Sequence, residues 1–152
     1  MRRQDKEITE RSIMDSIIRS AKVCRIALCD GTLPYLVPMC FGYDGRSIFL
    51  HSAKEGRKID VLRRNPHVCF EFESDCEVKH ADKACSFSMR YRSVIGSGKA
   101  CLVEDGDERL QALRLIIGQY TDKTFVMNIN ELKGISVFRV DIDEITGKQS
   151  GY

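Results

Sequence analysis

Residues 34–65 have the sequence PYLVPMCFGYDGRSIFLHSAKEGRKIDVLRRN, in which two strand patterns surround a turn and a short basic helix follows. The turn is Asp44-Gly45, a dipeptide typical of tight hairpins. Proline has no backbone N–H to donate to a neighbouring strand, so Pro34 and Pro38 favour a strand at a sheet edge or a place where pairing breaks. The stretch therefore predicts a hairpin with a free edge, followed directly by a helix.

Outside this stretch the chain continues mainly in strand patterns. Alternating apolar and polar residues predict strands over 22–29, 34–43, 47–51, 67–73, 89–103 and 135–145. Helical spacing predicts helices over 5–20, from Ser52 onward and over 107–118, and residues 74–87 are expected to form a loop or a ragged strand. Strands and helices do not alternate regularly, and no Gly-x-Gly-x-x-Gly or Walker loop is present. This pattern favours a small antiparallel barrel over a doubly wound sheet.

Length and charge exclude several classes of protein. The 152 residues suit one domain, and 43% hydrophobic with 30% charged residues is ordinary for a globular protein. A net charge of +2 argues against a nucleic-acid binder. The start, MRRQDKEITERS, lacks the apolar segment of a signal peptide, and no run is long enough to span a membrane. With seven cysteines, an odd number, we expect reduced thiols and a cytoplasmic location.

The cysteines and phenylalanines within strand patterns are expected to be core residues. This applies to Cys24, Cys40, Cys69 and Cys101, and to Phe41, Phe49, Phe70, Phe72 and Phe138. Cys76, His80 and Cys85 could bind zinc, but the chain has no Cys-x-x-Cys pair and a fourth ligand is unclear. We therefore expect no metal site.

The helix after the third predicted strand has the composition of an anion site. Ser52 and Glu55 match the Ser-x-x-Glu capping box, which predicts that Ser52 begins the helix. Gly56, Arg57 and Lys58 follow, so free N–H groups, a hydroxyl and two cations would meet at one helix start, as phosphate binding requires. From the residues alone, a solvated helix with an ordinary cap explains this pattern equally well.

Four segments in order give the chain a family likeness. The segments are PYLVP, FLHSA, EGRKID and YRSVIGSG. The chain resembles the pyridoxamine 5′-phosphate oxidase-like flavin-binding split barrels, in which similar segments follow one another in the same order. The resemblance is strongest to the nitroimidazole-resistance branch. The resemblance covers most of the chain. It implies one FMN-binding domain over residues 1–152, mainly β, with a six-stranded antiparallel Greek-key split barrel and a few flanking helices. It also implies a homodimer with two flavin sites at the subunit interface.

The resemblance assigns roles to nine positions. It implies that Ser52, Arg57 and Lys58 contact the FMN phosphate, that the backbone of Val37, Pro38 and Met39 lies along the isoalloxazine edge, and that His51 lies beside the ring. Arg92 and Ser93, on the long strand, would be further cofactor contacts, donated across the dimer. His51 is also the candidate catalytic residue.

The function implied is an FMN-dependent oxidoreductase of the nitroreductase type with a small-molecule electron acceptor. FAD remains open as the flavin. A non-catalytic flavin- or haem-binding stress or sensor module, with His51 as haem ligand, is the alternative, and a dimerisation domain with an empty site is a third. Pyridoxamine phosphate oxidation itself is disfavoured, because the chain has no tryptophan and its last residues, GKQSGY, lack an Arg-x-x-Pro-like segment.

Overall fold

The computed structural model describes residues 3–152, which form one eight-stranded antiparallel sheet with three helices. The strands are Glu7–Ile8 (β1), Cys24–Asp30 (β2), Leu33–Met39 (β3), Phe41–Tyr43 (β4), Ser47–Ala53 (β5), His67–Lys79 (β6), Ser88–Leu102 (β7) and Ile135–Ser150 (β8). The helices are Arg11–Ser20 (α1), Arg57–Arg64 (α2) and Gly106–Gly118 (α3). Short 3₁₀ turns cover Gln4–Lys6, Ala84–Ser86 and Ile129–Gly134. None of the helices in residues 3–152 is long and apolar enough to cross a membrane.

The strand order is β3-β2-β6-β7-β8-β5-β4, with β1 paired to β8. Strands β6, β7 and β8 are consecutive neighbours, and β5 lies beside β8, which is the Greek-key arrangement. The expected mainly β, antiparallel fold is confirmed. The expected number of six strands was too low, because the helix predicted over 5–20 includes β1 and the run 34–43 forms two strands.

β3 and β4 follow each other in the chain but lie at opposite edges of the sheet, so the barrel is split between them. β3 pairs with β2 at one edge of the sheet, β4 pairs with β5 at the other, and Cys40 joins the two strands. Pro34 and Pro38 both lie in β3, which has a strand partner on one side only in the described part of the chain. Their missing N–H groups therefore leave the ladder intact where it exists, as the sequence predicted.

Tyr120 connects the two sides of this break. Its hydroxyl accepts a hydrogen bond from the Phe41 backbone N–H at 3.0 Å and donates one to the Lys22 carbonyl oxygen at 3.1 Å. Phe41 is the first residue of β4, so its N–H lies where strand pairing resumes. The tyrosine thus satisfies a backbone donor that would otherwise lack a partner at the break.

The barrel interior is filled by aromatic and branched side chains. All five predicted phenylalanines are buried; Phe41 and Phe72 pack with ring centres 4.7 Å apart, and Phe49 belongs to a second cluster beneath α3. α1 adds Met14, Ile17 and Ile18 from its apolar face. Each such side chain contributes about 1.5–3 kcal/mol on burial, so these clusters dominate the stability of the barrel.

Several predicted bounds differ from the structure. α1 begins at Arg11 rather than residue 5, because Glu7 and Ile8 pair with Lys148 and Gly147 of β8. β6 continues to Lys79 after a register shift between Ser74 and Glu77, so much of the expected loop is strand. In both cases pairing with a distant strand overrides the local pattern.

Only one of the four cysteines expected in the core is buried. Cys24 points inward, and burial raises the pKa of its thiol to about 12. Cys40, Cys69 and Cys101 are exposed in the single chain, so that expectation was wrong. Cys69, for example, alternates with the buried Val68 and Phe70 and therefore lies on the outer face of β6.

Candidate functional site

The candidate site lies where β3 and β5 diverge. The pairing of β4 with β5 ends at Phe41 opposite Leu50, and the chain before Phe41 turns away to pair with β2. On the β5 side the next residues are His51 and Ser52, which pair only with β8 among the described strands. His51 therefore lies at the open side of the split.

α2 follows this split directly, but it does not begin at Ser52. β5 continues through Ala53, since Ser52 and Ala53 pair with Ser136 and Ile135 of β8. The Ser52 hydroxyl donates to the Ala53 carbonyl oxygen at 2.8 Å, and the N-cap of the helix is Gly56, without a side-chain cap. The predicted capping box was wrong, because pairing with β8 holds Ser52 in an extended conformation.

Gly56 makes the change of direction from β5 into α2. Its φ of 120° lies in a region that side chains with a Cβ rarely adopt. Arg57 and Lys58, the first two residues of the helix, are therefore positioned by the geometry of one glycine. A residue with a Cβ at this position would strain the turn that holds both cations.

Arg57 is held by two neighbours from β2 and β3. Its Nε donates to Oδ2 of Asp30 at 3.1 Å, and its guanidinium lies 4.4 Å from the centre of the Tyr35 ring. Arg64, one helix length away, donates to Oδ1 of the same aspartate at 2.7 Å. Sequence reasoning missed Asp30; its place in the Asp-Gly turn after β2 was the only available signal. The Arg57 side chain stays 53% exposed, so its other N–H groups remain accessible.

Lys58 and His51 are half-buried groups without an anionic partner. Burial lowers the pKa of Lys58, and within residues 3–152 its ammonium forms no salt bridge or side-chain hydrogen bond. Burial, and secondly the positive charge of Lys58, lower the pKa of His51. The Nδ1 atom of His51 is buried and has no hydrogen-bond partner in the described chain. A buried polar atom of this kind points to a missing ligand or partner.

Val37, Pro38 and Met39 lie on β3 opposite Ile26, Arg25 and Cys24. Met39 is buried, Val37 is half-buried and Pro38 is exposed. Met39, at the split, lies four positions along the strand from Tyr35, which is beneath Arg57, a span of about 13 Å. This part of β3 therefore connects the surroundings of Arg57 with those of His51.

Arg92 and Ser93 lie at the other end of the barrel. Arg92 pairs with Ser74 of β6. Asp30, which contacts Arg57, lies at the end of β2, two residues beyond Leu28, and Leu28 pairs with Val68 of β6. Ser74 lies six positions along β6 from Val68, a distance of about 20 Å. The single chain thus does not bring Arg92 and Ser93 to Arg57 and Lys58.

Arg92 contacts a residue that the sequence did not single out. Its guanidinium lies 4.2 Å from the centre of the Tyr152 ring, which also packs on Arg90, and its Nη1 is 3.4 Å from Asp75. The Nε atoms of both arginines are buried without hydrogen-bond partners in the described residues. Tyr91, which precedes Arg92 in the chain, lies near Lys148 instead, with the ammonium 5.8 Å from the ring centre.

The candidate residues form an open surface in one chain. Five clefts of the described chain are lined by other residues, the largest of them, about 550 Å³, by Arg19, Tyr43 and α3. In residues 3–152 no three His, Cys, Asp or Glu side chains lie together in a way that could hold a metal ion. The arrangement offers cations and an imidazole along one strand edge.

A family model described as pyridoxamine 5′-phosphate oxidase matches residues 10–149. The chain belongs to this family. The match covers strands β2 to β7, nearly all of β8 and all nine candidate positions, and the family expected from the sequence is confirmed. The segments that carried the resemblance, from PYLVP to YRSVIGSG, all fall inside the matched range.

Comparisons with other proteins place the chain within the family. A solved structure from Bacteroides thetaiotaomicron, provisionally assigned to 5-nitroimidazole antibiotic resistance, is 35% identical, with a TM-score of 0.85 and coverage of 94% of this chain and 86% of that one. An FAD and haem binding protein from Mycobacterium smegmatis has the same TM-score at 20% identity, covering 97% and 74%, which shows the shared fold. An uncharacterised protein of Rhizobium meliloti is 28% identical over 64 residues, and this match spans 42% of each chain.

Proposed function

We propose that the protein is an FMN-dependent oxidoreductase of the nitroreductase type, acting as a cytoplasmic homodimer. The observation that carries this proposal is the half-buried, unpaired ammonium of Lys58 beside the unpartnered Nδ1 of His51 at the open side of the split. A cation that burial has partly stripped of water gains from an anionic ligand, and family membership suggests a flavin phosphate as that ligand.

Arg57 and Lys58 are the proposed phosphate donors. Asp30 occupies only the Nε of Arg57, and the Tyr35 ring supports the guanidinium, so the Nη groups are directed and free to donate. Charge-assisted bonds from a guanidinium and an ammonium suit a phosphate dianion. The Ser52 hydroxyl donates to Ala53, so it would have to rotate before donating to a phosphate.

The isoalloxazine ring of the flavin would lie along the β3 edge, between Arg57 and His51. Val37, Pro38 and Met39 would supply backbone contacts there, and the half-buried His51 would use Nδ1 for one hydrogen bond. FMN, when bound, supplies hydride and electron transfer. Burial and the charge of Lys58 lower the pKa of His51, which favours the neutral imidazole, so the ring would be able to accept a proton there.

Two observations support a second copy of the chain as partner. Arg92 and Ser93 can join Arg57 and Lys58 only from another subunit, given their places at opposite ends of the barrel. Apolar side chains are also exposed on the strands, including Leu36 on β3 and Ile95 on β7. The 35% identity to the Bacteroides protein favours nitro compounds as electron acceptors.

The first test is the absorption spectrum of the purified protein, followed by titration with FMN, FAD and riboflavin. We expect a flavin spectrum, tighter binding of FMN than of riboflavin, and oxidation of reduced nicotinamide with a nitroaromatic acceptor. Sedimentation should give twice the chain mass. A Soret band would support the haem-binding alternative, and colourless protein that does not bind added FMN would contradict the proposal.

A further inference from the structure

A cleft separates α2 from strands β7 and β8, on the side of the helix that faces away from Asp30. Its volume is about 190 Å³, and its walls are Ile59, Leu62, Arg63, Ala100, Cys101, Leu102 and Phe138. Ile59, Ala100 and Phe138 are buried and form an apolar floor. None of the residues proposed for flavin binding lines this cleft.

Arg63 is the only charged residue that the described chain contributes to the lining of this cleft. The neighbouring arginines of α2, Arg57 and Arg64, both donate to Asp30. Arg63 forms no salt bridge or side-chain hydrogen bond with any residue between positions 3 and 152, and its side chain is exposed. Its guanidinium is therefore available at the mouth of an otherwise apolar cleft.

We propose that this cleft binds a small organic anion with an apolar body and one carboxylate. The apolar floor favours a hydrocarbon group, since burying such a surface is favourable, and the planar guanidinium matches a carboxylate with two parallel hydrogen bonds. One water needs only about 10–15 Å³ of such volume, so a cleft of about 190 Å³ has room for a single ring. Arg63 orients the carboxylate toward the mouth.

Leu102→Cys supplies a reporter for this site. Leu102 lines the cleft and is 40% exposed, whereas the Cys101 side chain lies on the opposite face of β7 from Ala100 and Leu102, with its thiol donating to the Arg139 carbonyl oxygen at 3.5 Å. Cys85, in the 3₁₀ turn Ala84–Ser86, is also exposed and lies outside the cleft lining. A ligand in the cleft protects the introduced thiol from alkylation and leaves Cys85 unaffected.

The test uses benzoate as the probe and the full-length Leu102→Cys protein alkylated with iodoacetamide, with each cysteine followed by peptide mass spectrometry. We expect saturating benzoate to slow alkylation of the introduced thiol about fivefold or more and to leave Cys85 unchanged. When Arg63→Gln is added to this protein, the benzoate concentration for half protection should rise about tenfold, as expected for a lost charge-assisted bond. Arg64→Gln is the matched control, because it removes an adjacent charge outside the cleft.

Three results would overturn the inference: equal protection of the introduced thiol and Cys85, unchanged protection when Arg63→Gln is added, or benzyl alcohol protecting as well as benzoate does. Circular dichroism of both variants checks that they remain folded, which is expected because both side chains are exposed. FMN titration of the same samples separates the two proposals. Protein that binds FMN and not benzoate contradicts only the cleft, and the reverse contradicts only the flavin site.

Discussion

Arg57 donates from Nε to Asp30, an aspartate that lies 27 residues earlier in the chain and also accepts from Arg64. Exposed ion pairs of this kind stabilise a fold by about 0–1 kcal/mol, so the aspartate matters mainly by directing the Arg57 guanidinium. Directed donors lose less conformational entropy when a ligand binds. Arg57 is therefore prepared to bind an anion together with Lys58.

Replacing both proposed phosphate donors, in Arg57→Ala with Lys58→Ala, should weaken FMN binding by about 3–6 kcal/mol, because two charge-assisted bonds are lost. Riboflavin, which lacks the phosphate, should bind the double variant and the wild type alike. Fluorescence titration measures both affinities, and Arg64→Ala, which removes another Asp30 partner, serves as control. Equal losses for FMN and riboflavin would move the phosphate site elsewhere.

The lowered pKa of His51 predicts a pH dependence of stability. The unfolded chain takes up a proton near the usual pKa of 6.5, whereas the folded protein does so only at lower pH, because burial and Lys58 oppose the charge. The free energy of unfolding should therefore be highest above pH 6.5 and fall as the pH drops from 6.5 toward the folded pKa. His51→Gln should remove this part of the decrease.

Urea unfolding at pH 7.5 and 5.5 measures the effect of His51→Gln, with His67→Gln at an exposed strand start as control. If the free energy of unfolding falls by the same amount between these pH values in the wild type and in His51→Gln, then His51 does not cause the pH dependence.

Gly96 on β7 should not tolerate a side chain. A Cβ at this position would lie 2.5 Å from the Glu144 carbonyl oxygen and 2.5 Å from Cζ of the buried Phe70. We expect Gly96→Ala to lower the free energy of unfolding by about 1–3 kcal/mol, as overpacking does in other cores. Gly118→Ala is the control, since a Cβ added at this residue, at the end of α3, would meet nothing within 4 Å. Similar effects of the two substitutions in urea unfolding would contradict the close packing at Gly96.

Removing the Tyr120 hydroxyl should loosen the start of β4. Tyr120→Phe leaves the Phe41 N–H without its 3.0 Å acceptor, which costs about 1–3 kcal/mol for a buried donor. Hydrogen exchange at the Phe41 amide should accelerate, while exchange at Phe72, in the middle of β6, changes little. Tyr91→Phe provides a control on a distant strand. Unchanged exchange at Phe41 would show that water replaces the hydroxyl.

Local patterns are a reliable guide wherever neighbours along the chain decide the structure. The alternation around Val68, Phe70 and Phe72 predicts their burial, and helical spacing predicts the helix over 107–118, whose N-cap Asp105 accepts from Asp107 and Glu108. The capping box at Ser52 failed because β8, more than 80 positions later, pairs with it. Asp30 and Tyr152 were missed because their partners, Arg57 and Arg92, are distant in the sequence.

The sequence by itself determined the strand and helix types, the turns, the family, and the pair of cations at the start of a short helix. These properties depend on side-chain spacing and turn chemistry within a few residues. Only the tertiary structure decided that Lys58 is half-buried and unpaired, that Asp30 holds Arg57, and that Arg92 lies at the far end of the barrel. Burial and ion pairing depend on strand register and on the break at Cys40, which join residues that no local pattern connects.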